Sequence, residues 1–141
     1  VGMVKTTLTG HLVTGLGEAA TFTRIDWARD QFVTKLGIDP FPGTVNLTLD
    51  DAVEIAKWAR IRALPGIALI SPRTAWCNAR CYPVRIGKDI PGAIVFPEVA
   101  DYPAAKVEVI AAVGVRAALG VVDGDPVTLE IGESSGTAQE A

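Results

Sequence analysis

The alternation of apolar and polar residues changes period several times along the chain, and each change predicts an element. Residues 4–14 are rich in Val, Thr and Leu and read as a strand. A Gly15-Leu16-Gly17 turn follows, and residues 20–25 favour a second extended segment. Asp26 is placed as the N-cap of a helix over 27–36, with Trp27, Phe32 and Leu36 on its buried side and Gly37 as its stop. Two prolines and a glycine make 38–43 a rigid connection. Residues 44–49 then set Val45, Leu47 and Leu49 against Thr44, Asn46 and Thr48, the period of a half-buried strand. Asp50 is placed as the cap of a second helix over 51–62, with Val53, Ala56 and Ala59 or Arg60 along one side.

In the second half, residues 66–71, 75–86 and 92–97 read as strands, with a turn over 88–92. A strand over 107–111, a short helix over 113–119, an Asp123-Gly124-Asp125 turn and a last strand over 126–131 complete the pattern. Short strands that do not alternate regularly with long helices argue against a doubly wound parallel sheet. They fit a mainly β protein, a small closed barrel with peripheral helices. No internal repeat or linker divides the chain. Residues 1–132 are therefore expected to form one barrel domain, and 133–141, rich in Ser, Gly, Thr and Glu, a flexible C-terminal tail.

Composition narrows the function classes. The 141 residues carry a net charge of −3, without a basic run, which argues against a nucleic-acid partner. No apolar run is long enough to span a bilayer, and the start lacks a signal-peptide pattern, so no membrane partner and a cytoplasmic location are expected. Cys77 and Cys81 would share one side of a strand about 13 Å apart, too far for a disulfide. With His11 as the single histidine they make a poor zinc set and read as packing residues. Trp27, Trp58 and Trp76 also read as packing residues, and His11 as structural. Arg60, Arg62, Arg73 and Arg80 read as solvated, whereas Arg85 lies in a strand and can face a site.

Two segments can carry chemistry. Gly15-Leu16-Gly17-Glu18-Ala19-Ala20 matches G-x-G-x-x-A, a turn that exposes backbone N–H groups to a phosphate. A dinucleotide-binding loop of this kind needs a long helix straight afterwards. Thr21-Phe22-Thr23 does not favour one, and Asp39, at the right distance for the acidic partner, is followed by Pro40. By itself the turn is as consistent with a plain hairpin. In Pro42-Gly43-Thr44-Val45-Asn46, Thr44 and Asn46 present a hydroxyl and an amide oxygen on one face of a strand. Such neutral oxygens hold Mg²⁺ when substrate phosphates meet its charge. A solvated polar strand face remains the alternative.

The two segments occur in a wider pattern. Gly15-Leu16-Gly17-Glu18 and the stretch Leu36-Gly37-Ile38-Asp39-Pro40-Phe41-Pro42-Gly43-Thr44-Val45-Asn46-Leu47-Thr48-Leu49 closely resemble the archaeal-type CTP-dependent riboflavin kinase family. Gly92-Ala93-Ile94-Val95-Phe96-Pro97, Val107-Glu108-Val109-Ile110-Ala111, Val115-Arg116 and Asp123-Gly124-Asp125 resemble later segments of that family in the same order. The resemblance runs over residues 9–131. It implies a six-stranded cradle-loop barrel that transfers the γ-phosphate of CTP to riboflavin, giving FMN and CDP with Mg²⁺. It further implies nucleotide binding by Leu16, Gly17, Glu18, Ala19, Ala20 and Thr21, closed by Val113, Gly114, Val115 and Arg116. Thr44 and Asn46 would ligate the metal, and Glu108 would contact the flavin. Orientation or deprotonation of the ribityl hydroxyl by Glu108 is the catalytic role expected here.

Three places differ from the family pattern: Ala19 stands where glycine is usual, residues 98–102 lack the usual Thr and His, and Ala112 replaces a proline. Those differences keep open a second reading, a barrel that binds a nucleotide or flavin without chemistry, and the Gly15–Ala20 match leaves a third, weaker one, a dinucleotide oxidoreductase. Oligomeric state is left open, with a monomer sufficient for either main reading.

Overall fold

The computed structural model describes residues 5–15, 20–73 and 77–132, with only the backbone described for Ala20 and Thr21. Leu16, Gly17, Glu18 and Ala19 lie outside the described residues, as do Trp76 and residues 133–141. The strands are β1 (Lys5–Val13), β2 (Val45–Thr48), β3 (Ile67–Leu69), β4 (Ala79–Ile86), β5 (Ile90–Pro97), β6 (Lys106–Ala111) and β7 (Pro126–Gly132). Their order is β3-β4-β5-β6-β2-β1-β7, and a further β4–β7 pairing closes all but β3 into a six-stranded barrel. Every pairing is antiparallel. Closure removes the exposed edges of these strands.

Strand alternation sorts the core in two. Leu8, Leu12, Leu47, Val107, Val109, Ile94, Val84, Ile86, Val127 and Leu129 fill the barrel interior. On the outside, Ala79, Cys81, Ala93, Val95 and Ile110 form a second apolar layer with Phe22, Ala28, Phe32 and Ile38. That layer lies under helix α1 (Asp26–Gln31) and the single π-turn, Phe32–Leu36, that continues it. Gly37 ends this unit in a left-handed conformation at φ 71°, a position where a side chain would be strained.

Three local readings are corrected. Residues 20–24 form a 3₁₀ turn, Ala20–Arg24, instead of a strand. Phe22 is drawn into the outer apolar layer, and Thr23 Oγ1 accepts from the Gly43 N–H at 2.9 Å. These tertiary contacts outweigh a weak local β preference. Asp26 is the first helical residue of α1 and not its cap, which is Ile25. The second helix is α2 (Ala52–Arg62), capped by Asp51 accepting from the Val53 N–H, because Asp50 instead lies 2.8 Å from His11 Nδ1. The buried side of α2 is Trp58 and Ile61, with Ile55 partly covered, while Val53 is exposed.

Helix α2 also completes β1. Where β1 has no β2 partner, the Thr9 N–H donates to Glu54 Oε1 at 2.8 Å and Lys57 Nζ donates to the Thr7 carbonyl at 2.6 Å. Backbone groups that a short β2 leaves unpaired are thus satisfied by side chains. At the other end of β1, Leu12 exchanges backbone bonds with the 123–125 turn: its N–H donates to Asp125 O at 2.9 Å and its carbonyl accepts from Gly124 N at 2.8 Å. Helix α3 (Val115–Leu119) precedes that turn and seats Val115 in the barrel core.

Candidate active site

Strand β2 carries Asn46 opposite Glu108 of β6 on one side and opposite Val13 of β1 on the other. Thr44, two residues before Asn46, shares its face and so neighbours Glu108 diagonally. This face is the outside of the barrel. It is not the solvated polar face that alternation permits: Asn46 is only 6% exposed and Glu108 is 0% exposed.

The polar atoms converge. Thr44 Oγ1 lies 3.3 Å from Glu108 Oε1 and 3.4 Å from Asn46 Oδ1, and its one proton serves either oxygen. Asn46 Nδ2 donates to the Gly15 carbonyl at 3.0 Å, which fixes the amide with its oxygen turned toward Thr44. Glu108 Oε2 accepts from the Tyr102 hydroxyl at 2.6 Å and stands 3.9 Å from Lys106 Nζ. A fully covered carboxylate is costly unless donors surround it, and these three side chains supply them.

The donor set suits a hard divalent cation. The ligand atoms here would be Thr44 Oγ1 and Asn46 Oδ1, two neutral oxygens 3.4 Å apart, with Glu108 Oε1 beside them at 3.3 Å from Thr44. Adjacent ligand atoms of an octahedral Mg²⁺ lie about 3 Å apart, close to the separations here. Among the described residues no cluster of three His, Cys, Asp or Glu side chains exists, so a metal on this face would depend on neutral oxygens and on charge brought by a ligand.

Two clefts flank the cluster. One, of about 220 Å³, is lined by Phe41, Pro42, Gly43 and Thr44 on one wall and by Val113, Gly114, Val115 and Arg116 on the other. The second, of about 320 Å³, is bounded by Thr14, Gly15, Asn46 and Lys106. Arg116 spans back to the end of β1: its guanidinium donates to Asp123 Oδ1 at 2.7 Å and reaches Thr14 Oγ1 and the Val13 carbonyl at 3.4 Å. Thr14 Oγ1 also donates to Asp123 Oδ2. Those hydrogen bonds, from Thr14 first and Arg116 second, hold the Asp123 carboxyl below the usual carboxylate range.

Thr44, Asn46, Glu108 and the 113–116 segment are therefore neighbours, although 64 positions separate Thr44 from Glu108. Glu108 does not line the first cleft, and the Val115 side chain points into the core. Leu16, Gly17, Glu18 and Ala19 lie outside the described residues, and Ala20 and Thr21 contribute only their backbone to the 3₁₀ turn. No long helix follows residues 15–20, and the sheet is antiparallel throughout, which removes the dinucleotide-oxidoreductase reading.

A family model named for CTP-dependent riboflavin kinase, described as "Domain of unknown function DUF120", matches residues 12–131. The chain belongs to this CTP-dependent riboflavin kinase family. Among curated proteins it is 37% identical to "Riboflavin kinase" of Methanocella arvoryzae over 122 residues, covering 86% of this chain and 55% of that protein. It is 39% identical over 128 residues to "Riboflavin kinase" of Methanoregula boonei, covering 89% and 57%. It is 30% identical over 125 residues to "Riboflavin kinase" of Saccharolobus solfataricus, covering 86% and 71%. The chain spans a little over half the length of the first two of these relatives.

Within the CTP-dependent riboflavin kinase pattern, sequence reasoning missed Tyr102 and Lys106. Both touch Glu108, Tyr102 from the 98–102 segment that stood out only for what it lacks, and Lys106 from the start of β6. Lys106 sits two residues before Glu108 in β6, a same-face spacing that could have suggested it. Nothing local signals the Tyr102 contact. Arg85 is placed elsewhere: it pairs with Glu130 across β4 and β7 and lines an open groove that contains none of the candidate site residues.

Proposed function

We propose that this chain carries riboflavin kinase activity with CTP as donor, forming FMN and CDP with Mg²⁺. The observation that carries the reading is the convergence of Thr44, Asn46 and Glu108 beside the Gly15 carbonyl, between two clefts. Thr44 and Asn46 would hold the metal, whose chemistry is to neutralise the charge of the donor's phosphates. Arg116 and the backbone of residues 113–116 would close on the nucleotide, with residues 16–21 as the other nucleotide-binding segment.

Phosphoryl transfer asks mainly for positioning and charge neutralisation. In the proposed step the ribityl primary hydroxyl oxygen bonds to the γ-phosphorus, and the bond from that phosphorus to the β-phosphate bridging oxygen breaks. Glu108 accepts the hydroxyl proton, and CDP leaves. Because Glu108 is fully covered, the hydroxyl must first displace one of its partners. The Thr44 contact at 3.3 Å is weaker than the Tyr102 contact at 2.6 Å, so approach to Oε1 is the easier route. Soluble substrates of this kind agree with a cytoplasmic location, and no helix among the described residues is long and apolar enough to cross a membrane.

The complete burial of Glu108 also favours a second reading, a module that binds the flavin or nucleotide without turnover. Incubation with riboflavin, Mg²⁺ and each nucleoside triphosphate separates the two. FMN formed most rapidly with CTP supports the kinase. FMN with another donor alone corrects the nucleotide, and tight binding without FMN selects the module.

A further inference from the structure

We propose that Tyr102 is a positioning residue that fixes the orientation of the Glu108 carboxylate. The inference deepens the kinase reading and rests on the role given there to Glu108. Two oxygens of one carboxylate meet different surroundings here. Oε2 accepts from the Tyr102 hydroxyl at 2.6 Å, and Oε1 lies 3.3 Å from Thr44 Oγ1, toward the metal-binding pair. A hydroxyl-to-carboxylate bond of that length is in the strong, charge-assisted range. A partial turn of the carboxylate about its terminal bond would break it, so the Tyr102 hydroxyl fixes the plane of the group and keeps its second oxygen directed at Thr44.

The Tyr102 ring is itself anchored. It meets Phe96 edge-on at 5.4 Å between centroids, and Lys106 Nζ stands 5.5 Å from its centroid. Phe96 is held in turn by Trp58 at 5.9 Å and by the guanidinium groups of Arg62 and Arg80, each 5.3 Å from its ring. The backbone contributes as well. Asp101, directly before Tyr102, is the one described non-glycine residue with positive φ, at 63°. A left-handed aspartate is tolerated in a turn but is held there by its surroundings, and this turn immediately precedes the residue that reaches back to β6. Tyr102 thus delivers its hydroxyl from a braced ring, through a stack that runs to the end of α2. Its action on riboflavin would pass through Glu108, which is why it is a positioning and not a catalytic residue.

The test is a double-mutant cycle. Tyr102→Phe removes the hydroxyl and keeps the ring, with its contacts to Phe96 and Lys106. The kcat for riboflavin phosphorylation is expected to fall about tenfold, the worth of one well-placed hydrogen bond, with the KM for the nucleotide unchanged. In a Glu108→Gln background the same change is expected to shift kcat by less than about twofold, because the two residues act as a unit. Equal losses in the two backgrounds, or wild-type kcat in Tyr102→Phe, would overturn the positioning role. If Glu108→Gln alone retains full turnover, it is the underlying reading of Glu108 that fails, and Tyr102 falls with it. The same cycle run on riboflavin affinity, followed by quenching of flavin fluorescence, decides the question in a chain that binds without turning over. Thermal melting of each variant separates a local effect from loss of fold.

Discussion

Asn46 Nδ2 donates to the Gly15 carbonyl at 3.0 Å, joining the strand that carries the candidate metal ligands to the start of the candidate phosphate loop. One side chain therefore has two tasks. Its nitrogen ties down the end of the β1 segment, and its oxygen is thereby aimed at Thr44 and the Glu108 side of the site. Two motifs separated by 31 positions become one unit through a single amide.

Asn46→Asp and Asn46→Ala are expected to differ in an informative way. Aspartate keeps an oxygen toward Thr44 but replaces the donor to Gly15 with a second acceptor, and it adds a charge beside Glu108. Alanine removes both. Both lose the Gly15 bond; alanine is expected to cost about 1 kcal/mol in stability, and aspartate more, because it places a second buried carboxylate beside Glu108, both read from denaturant melts. With the kinase reading, Thr44→Ala combined with Asn46→Ala abolishes Mg²⁺-dependent turnover while the melt remains cooperative. Full turnover in the double variant would remove these residues from the metal site.

Asp123 links Arg116 to Thr14, and its pKa fixes the pH dependence of that link. Its folded value lies below the unfolded one, which is about 3.9, because Thr14 and Arg116 donate to the ionised form. Its contribution to stability is therefore complete above pH ~4 and is lost as pH falls through the lower folded value. Asp123→Asn is expected to melt lower than the wild type at pH 7, and the gap is expected to narrow as pH falls below the unfolded value and through the lower folded one. Because the group is exposed, added salt is expected to narrow the gap as well. A gap that does not narrow at any pH below the unfolded value, down to acid unfolding, would show that the carboxylate charge is irrelevant to the latch.

Much of this architecture is legible in the sequence because strands announce themselves by period. The mainly β class, the barrel and the turn at 123–125 follow from alternation and turn residues, and the family pattern adds closure into six strands. The 3₁₀ turn at Ala20–Arg24 is not legible, since its cause is the packing of Phe22 beneath α1 and the bond from Gly43 to Thr23. The helix cap moves from Asp50 to Asp51 for a similar reason, a partner on another element, His11. At the site, Thr44 and Asn46 are visible as same-face neighbours. Their depth is not: alternation permits a polar outer face, whereas Tyr102 and Lys106 arrive from a loop and a neighbouring strand to cover it. Cysteine spacing likewise misplaces Cys77, which precedes β4 instead of lying within it.

Among the described glycines, Gly92 leaves the least room for a side chain. A Cβ there would stand 2.5 Å from the Ile110 carbonyl oxygen and 2.6 Å from Ile86 Cδ1. The first neighbour is backbone of the paired strand β6, so it cannot swing aside as a side-chain tip would. Gly92→Ala is expected to destabilise the barrel by about 2 kcal/mol, in the range of core overpacking. Gly124→Ala is a control of different kind: space is open around it, but its φ of 92° strains any side chain. Its cost is expected to be local, and to appear as faster amide exchange at Leu12 and Asp125, whose backbone bonds the turn supplies. A Gly92→Ala melt equal to wild type would mean that β5 and β6 can separate without loss.

The two free thiols differ in how burial limits their chemistry. Cys81 lies 1% exposed in the outer apolar layer, and burial pushes its thiol up to about 12. Cys77 is only partly covered, and its thiol is raised chiefly by desolvation. Since the thiolate is the reacting form, both are poor nucleophiles at neutral pH, and Cys81 is shielded from reagent as well. Titration of the folded protein with a chromogenic disulfide at pH 8 is expected to show one slowly reacting thiol, and denaturant is expected to release the second. Cys77→Ser identifies the slow reactant by removing it. Because the Cys81 Sγ can react only when β4 and the covering π-turn part, its modification rate measures opening of that outer layer. A rate that rises with denaturant well below the global transition would show that the layer opens before the barrel does.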